Sequence, residues 1–386
     1  MQLNPQFDVE QFLATSWQRE PRLLPKFIED FVDPVSADDL AGLACEIEVE
    51  SRLVHGTEPS ELRLEHGPFP EQQLQTLNER GWTLLVQAVD QWDEGVADLL
   101  HYFEFLPAWL IDDVMVSFAT PGGGVGPHYD NYDVFLLQGS GNRKWQVGAR
   151  YLDTSTGSAV GDPGELVDQD GLKLLADFTT LQTFELSAGD ALYIPARFAH
   201  WGIAHSNSLC YSIGLRHPSA AEMLEGFSQA IIDKTGPEIR FHEVSQKITN
   251  PAEIRPGDVA AGYQQIARLL DSPTTFQNYF GCAVTEPKYP ELISRPQPPV
   301  TPDDIPASTS WEINPASRVA FLRTATGVQL FADASLFELP ETFVAIVESL
   351  CAQRIIPVSE HERILQTEAG PQLLVELINQ GTLIAP

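Results

Sequence analysis

The chain has 386 residues, 43% of them hydrophobic and 20% charged: too long for one ordinary hydrophobic core and too apolar for global disorder. With 23 basic against 54 acidic side chains, its formal charge of −31 repels phosphate backbones and argues against direct nucleic-acid binding. A field of that sign attracts a strongly basic protein or peptide, or it serves only to keep the surface soluble.

From Phe7 to about Val96 the sequence reads as helical and mixed, with Ser36 and Asp39 placed to cap a helix over Leu40, Leu43 and Ala44. A second apolar segment, Trp82 to Leu100, also has helical spacing, and neither segment carries obvious chemistry. From Ile111 the texture changes to short extended runs: Val114 to Ala119, Val134 to Gln138, Lys144 to Val147, Thr183 to Leu186, Ala191 to Ile194 and Leu209 to Leu215. Such runs predict an antiparallel sandwich or barrel, with Gly139-Ser140-Gly141-Asn142 as a hairpin and Ala188-Gly189-Asp190 as a tight turn.

After His217-Pro218 the spacing is helical again: Ala220, Met223, Leu224, Phe227, Ala230 and Ile231 fall on one stripe, and Val259 to Leu270 repeats the pattern. These helices either cover the barrel or pair with a second subunit through a shared apolar face. The stretch from Arg295 to Pro306 is rich in proline, which removes backbone donors and fixes φ, so it reads as a linker. Beyond it, a hairpin about Gly327 joins Val319 to Leu322 with Val328 to Phe331. Helical text at Thr342 to Gln353 and Gln372 to Gln380 completes a small winged-helix-like domain.

The four cysteines, Cys45, Cys210, Cys282 and Cys351, are scattered without a CxxC pair, as suits a reduced cytoplasm. The amino terminus lacks a basic start followed by an apolar stretch, and no apolar run reaches roughly eighteen residues, so neither secretion nor membrane insertion is expected.

Chemistry concentrates in Pro121-Gly-Gly-Gly-Val-Gly-Pro-His-Tyr-Asp130. A phosphate cradle would need a strand, a turn and then a helix, whereas here an imidazole, a carboxylate and another strand follow. On extended backbone, residues two apart project the same way, so His128 and Asp130 can grip one ion. Alone, such a pair is a surface or cap motif. A third ligand is found in Asp190-Ala-Leu-Tyr-Ile-Pro-Ala-Arg-Phe-Ala-His200, where a strand runs into a proline-containing turn that offers His200; His205 is the competing candidate. Two histidines and one carboxylate on one face of an octahedral ion leave the opposite positions open, as in non-haem iron(II) oxygenases.

At these segments the sequence resembles the JmjC family of iron- and 2-oxoglutarate-dependent oxygenases, within the cupin superfamily, and within it the bacterial ribosomal oxygenases. The resemblance extends to Leu40-Ala-Gly-Leu-Ala, Leu84-Leu-Val-Gln-Ala-Val, Tyr132-Asp-Val-Phe and Tyr211-Ser-Ile-Gly. It implies a mixed α+β fold: a double-stranded β-helix catalytic domain with N-terminal helices (1–217), a helical dimerisation region (218–294), a Pro-rich linker (295–310) and a winged-helix-like domain (311–386). The implied enzyme is a cytoplasmic homodimer that uses Fe(II), 2-oxoglutarate and O2 to hydroxylate an arginine of a basic large-subunit ribosomal protein, giving succinate and CO2.

The far carboxylate of 2-oxoglutarate then needs a cation, and Arg143 or Lys144 can supply it; as neighbours on a strand, only one points inward, and the resemblance favours Arg143. It also implies Ser117 beside the cosubstrate with His128 and Asp130, and Asp113, Met115, Tyr132 and Ser212 around the substrate side chain. Histidine hydroxylation and lysine demethylation use the same cofactor set. A non-catalytic cupin-like module with a structural metal is the reading from another class, and a closed ligand set would favour it.

Overall fold

The computed structural model describes residues 1–151, 166–169, 171–236, 238–242 and 249–385, and the chain divides into two compact units, Met1–His217 and Pro218–Pro386. Among the described residues no helix is long and apolar enough to cross a membrane.

In the first unit the principal strands are β1 (Arg22–Leu24), β2 (Ser51–His55), β3 (Arg63–His66), β4 (Trp82–Val86), β5 (Ile111–Ala119), β6 (Asp133–Gln138), β7 (Arg143–Arg150), β8 (Gln182–Leu186), β9 (Ala191–Ile194), β10 (Phe198–Ala204) and β11 (Ser208–Leu215). They form an antiparallel eight-stranded sheet in the order β1-β9-β6-β11-β5-β4-β2-β3, and a three-stranded sheet in the order β8-β7-β10. From β6 onward the chain passes back and forth between the two sheets, which makes the barrel a double-stranded β-helix.

That winding corrects the expected hairpin at Gly139-Ser140-Gly141-Asn142. The turn joins β6 and β7, but β6 pairs with β9 and β11 while β7 pairs with β8 and β10, so it carries the chain from one sheet to the other. Gly141 takes φ +75° there, and Gly139 N donates to Leu209 O. The tight turn at Ala188-Gly189-Asp190 is present, with Gly189 at φ +85° and Asp190 accepting from Ser187 N through its side chain.

The central strands of the large sheet are buried on both faces. On β6, Val134 and Leu136 point to the interior core with Trp145, Val147, Leu192 and Cys210, while Phe135 and Leu137 point outward into a second core built by Phe12, Phe27, Phe103 and other N-terminal residues. Double burial explains why the strands read as continuous apolar runs instead of alternating ones. It also explains a misreading: Trp82–Val86 is strand β4, and the helix expected over Trp82 to Leu100 is confined to Glu94–Asp98 with short 3-10 turns around it. A five-residue apolar run buried on both sides cannot be told from a helix segment by periodicity. The Ser36–Asp39 capping box forms as expected, at the head of the helix Ala37–Leu43.

In the second unit, the helix Ala220–Lys234 starts at a capping box made by Ser219 and Glu222, and is followed by helices Pro256–Leu270 and Pro273–Val284. Between residues 295 and 310 the only regular element is the 3-10 turn Pro302–Asp304. The remaining text folds as a winged helix. Val319–Thr324 pairs with Gly327–Ala332 and the latter with Ser335–Pro340, while helices Val344–Gln353, Val358–Leu365 and Gly370–Asn379 bury Ile346, Leu350, Ile364, Leu374 and Leu377 against them. The helix Val358–Leu365 was not anticipated; its eight residues are mostly polar outside Ile364 and Leu365.

Candidate active site

The glycine-rich segment runs beside β10 and is bonded to it at both ends. Gly122 N donates to Ala204 O, Ala204 N to Gly123 O, and His128 and His200 exchange both backbone hydrogen bonds, at 3.0 and 2.7 Å. Glycine is needed for that approach: a Cβ on Gly124 would stand 2.3 Å from the Gly202 carbonyl oxygen, and one on Gly123 2.3 Å from the Trp82 carbonyl oxygen. His200 therefore sits on a strand, not on the turn expected after Pro195, and the strand is what registers it against His128.

With both backbones fixed, the side chains converge. One ligand atom from each of His128, Asp130 and His200 lies within 4.8 Å of the others. Asp130 Oδ2 is 3.5 Å from His200 Nε2 and 4.0 Å from His128 Nε2. Each imidazole is aimed by its own backbone: His128 Nδ1 donates to Gly126 O and His200 Nδ1 to Phe198 O, both at 2.9 Å, which leaves the Nε2 lone pairs facing Asp130. His200 is only 2% exposed, and burial first, then the neighbouring His128, brings its pKa down to about 4. It stands neutral, the form a metal requires.

Asp130 is held from behind by Arg197. That residue takes φ +67°, donates its backbone N–H to Asp130 O at 2.7 Å, lays its guanidinium over the Tyr129 ring at 4.4 Å and bonds Asn131 Oδ1 at 3.0 Å. His205 is at the surface, 3.9 Å from Glu185, and is not part of the cluster. The donor set fits a divalent metal with open positions, because three groups occupy one side and the described residues offer no fourth.

On the inner face of β7 the residues Arg143, Trp145 and Val147 stand in successive rungs, opposite Ala204, Gly202 and His200 of β10. Arg143 is 6% exposed; Lys144 points the other way, which settles the strand phase. The Arg143 guanidinium donates to Ser117 Oγ at 3.0 Å and Ser208 Oγ at 3.2 Å, and among the described residues it has no carboxylate partner. Among the described residues, its Nε and the indole Nε1 of Trp145 are both buried without a hydrogen-bond partner. A buried cation with an orphaned donor is a place built for an anion.

Asp113, Met115 and Ser117 alternate along the inner face of β5, and Ser212 on β11 is the register partner of Met115. Asp113 is buried and receives Gln87 Nε2 on both carboxylate oxygens, at 3.0 and 2.8 Å; Gln87 Oε1 in turn accepts from Arg52 Nη2 at 3.1 Å, and the same nitrogen lies 3.7 Å from Met115 Sδ. Tyr132 precedes β6 in an exposed position; burial of its hydroxyl end and the charges of Asp130 and Asp113 raise its pKa. Sequence reasoning missed Arg52, Gln87, Trp145 and Ser208. Trp145 was within reach, two residues from Arg143 on the same face; the other three carry no local signal.

A JmjC domain profile matches residues 98–223, and a ROXA-like winged helix profile matches residues 268–383. The ribosomal protein uL16 3-hydroxylase of Escherichia coli is 38% identical over 296 residues, covering 76% of each chain. The chain belongs to the JmjC-domain ribosomal oxygenases. Among solved members of the family, E. coli YcfD superposes with a TM-score of 0.84 at 30% identity over the whole of both chains. Another structure of that ribosomal oxygenase, in complex with cobalt and 2-oxoglutarate, covers 98% of each chain with a TM-score of 0.80 at 31% identity.

Proposed function

We propose that this chain is an iron(II)- and 2-oxoglutarate-dependent oxygenase that hydroxylates an arginine of ribosomal protein uL16. The observation that carries the reading is the buried guanidinium of Arg143, which meets no carboxylate among the described residues, in the same barrel interior as the three converging ligands. A closed structural metal site would need neither open positions nor an anion receptor beside it. The uL16 hydroxylase from E. coli and the 2-oxoglutarate complex of YcfD support the substrate and the cosubstrate respectively.

In this reading His128, Asp130 and His200 hold the metal. Bound iron(II), with 2-oxoglutarate and dioxygen, supplies an oxidant that inserts oxygen into a C–H bond while the oxo acid leaves as succinate and CO2. Arg143, with Ser117 and Ser208 ordering its guanidinium, binds the far carboxylate, and its unpartnered Nε–H and the Trp145 N–H gain acceptors. The outer edge of the Trp145 ring covers Gly202, where a Cβ would come 2.7 Å from it, on the rung between Arg143 and His200. Asp113 draws in a cationic side chain, Met115 and Tyr132 flank its aliphatic stem, and Ser212 accepts from its polar end. The acidic surface speeds the encounter with a basic ribosomal protein.

The test is incubation with iron(II), 2-oxoglutarate, ascorbate and purified uL16, read by mass spectrometry of the fragments. One added oxygen on an arginine is expected, with succinate formed in step, and Arg143→Ala raises the 2-oxoglutarate requirement by about tenfold or more. Succinate release with no oxygen gained by any residue of uL16 would reject the substrate.

A further inference from the structure

We infer that Asp133 is a positioning residue for the metal site: its buried carboxylate clasps the chain passage that carries Asp130 to the turn that leads into His200, and so sets the gap between those two ligands. This rests on the reading of His128, Asp130 and His200 as metal ligands. The need for a clasp starts at a proline. Strand β9 pairs with β6 as far as Ile194 opposite Val134, and the next residue, Pro195, has no N–H with which to continue the ladder. The turn that follows has to be held by other acceptors. Asp133, the first residue of β6, supplies one: its Oδ1 accepts from Ala196 N at 2.8 Å, and the next donor along, Arg197 N, reaches the Asp130 carbonyl at 2.7 Å. Two successive N–H groups of one turn thus grip both ends of the stretch from Asp130 to Asp133. The same turn then delivers His200 on β10.

The carboxylate is fixed on its other side as well. Its Oδ2 accepts from the hydroxyl of Tyr193, and that hydroxyl accepts in turn from Gln18 N at 2.8 Å, so its proton is committed to Asp133. Asp133 is 3% exposed and Tyr193 is fully buried, its ring stacked on Trp17 with the centroids 5.4 Å apart. Arg150 donates to Ala196 O at 3.2 Å and to Gln18 O at 3.1 Å, which holds the same two segments from their carbonyl side and places a positive charge near the carboxylate. A buried carboxylate bonded on both oxygens by fixed donors is costly to move. Asp133 is outside the ligand cluster; it acts through Asp130 and His200, whose ligand atoms stand 3.5 Å apart.

The test is the cobalt(II) affinity of the whole chain, followed by absorption spectroscopy, beside circular dichroism and the melting temperature. Asp133→Ala removes both acceptors, and a loss of about ten- to a hundredfold in affinity is expected, the size typical when ligands lose their outer support. Asp133→Asn keeps an acceptor for Ala196 N–H and is expected to stay within about threefold of the wild type. Tyr193→Phe deletes one hydroxyl, leaves the ring on Trp17 and frees one carboxylate oxygen. An intermediate loss of about three- to tenfold is expected, and this milder variant decides the matter should Asp133→Ala not fold. Leu40→Ala, a buried truncation in the helix Ala37–Leu43, lowers the melting temperature and leaves the cobalt affinity and absorption bands at their wild-type values.

Folded Asp133→Ala or Tyr193→Phe protein with wild-type cobalt affinity overturns the inference. So does a loss in Asp133→Asn as large as that in Asp133→Ala, or an equal loss in Leu40→Ala, which would make the effect one of general stability. A wild-type chain that takes up no cobalt fails the ligand reading instead.

Discussion

At the scale of single residues, the site is organised by what each polar atom is denied. His200 is buried, and its Nδ1 is committed to Phe198 O, so its Nε2 has only Asp130 and a metal to face. Burial holds its pKa at about 4, below the 6.5 of a free imidazole. A depressed pKa for a base means that the unfolded chain binds more protons between those values, so the stabilisation is complete above about pH 6.5 and is lost as pH falls towards 4. At full extent this is about 3 kcal/mol. Metal-free protein is therefore expected to lose melting temperature steeply between pH 6.5 and 4, and His200→Gln, which cannot titrate, to flatten that slope. A melting curve against pH with identical slopes for both proteins would refute the assignment. Residues of this kind were legible in the sequence because their logic is local: His128 and Asp130 share a face through the period of extended backbone, and only one of Arg143 and Lys144 can point inward. Arg52 and Gln87 were not legible. They lie far along the chain from Asp113, and a glutamine or an arginine on an apolar segment announces nothing until the sheet pairs it with its partner.

At the scale of elements, the glycine-rich segment and β10 act as one device. The segment turns at Gly122 and Gly126, it is tied to β10 through backbone bonds at Gly122, Gly123, Ala204, His128 and His200, and the two imidazoles face one another because His128 and His200 are bridged. Gly124→Ala tests this. Its Cβ would lie 2.3 Å from a backbone oxygen on Gly202, which cannot move aside without shifting β10 itself. Misplaced ligands typically cost 10- to 100-fold in metal affinity. The expected outcome is a loss of about that size in cobalt(II) affinity, followed by absorption spectroscopy, with the circular dichroism of the folded protein retained; wild-type affinity would show that the zipped geometry is not required. Element boundaries were readable for most barrel strands, where glycine and proline punctuate each run, but not for Phe198–Ala204, which the sequence suggested as a turn. They were unreadable where burial on both faces erased periodicity, as in Trp82–Val86, and where connectivity depends on which sheet a strand joins, as at Gly139-Ser140-Gly141-Asn142.

At the scale of the whole molecule, one helix leaves an apolar stripe uncovered by the described residues. Pro256–Leu270 has no buried residue, and Val259, Tyr263 and Ile266, spaced to fall on one stripe, are 60%, 76% and 57% exposed. Leu224 and Ile232 of the helix Ala220–Lys234 are also exposed. Covering such side chains yields about 1.5 to 3 kcal/mol each, enough across a symmetric contact to hold two copies together. We propose that this face joins two chains as a homodimer. Each copy carries a charge of −31, so the contact forms against a like-charge field that salt screens. Association should therefore tighten as ionic strength rises, the reverse of a contact made by ion pairs. Light scattering after size exclusion is expected to give twice the mass of one chain at physiological salt. Tyr263→Asp combined with Ile266→Asp is expected to give a folded monomer whose melting temperature no longer depends on protein concentration, because in one chain these side chains already stand in water. A wild-type monomer, or a charged double variant that still elutes at twice the chain mass, would remove this stripe as the contact.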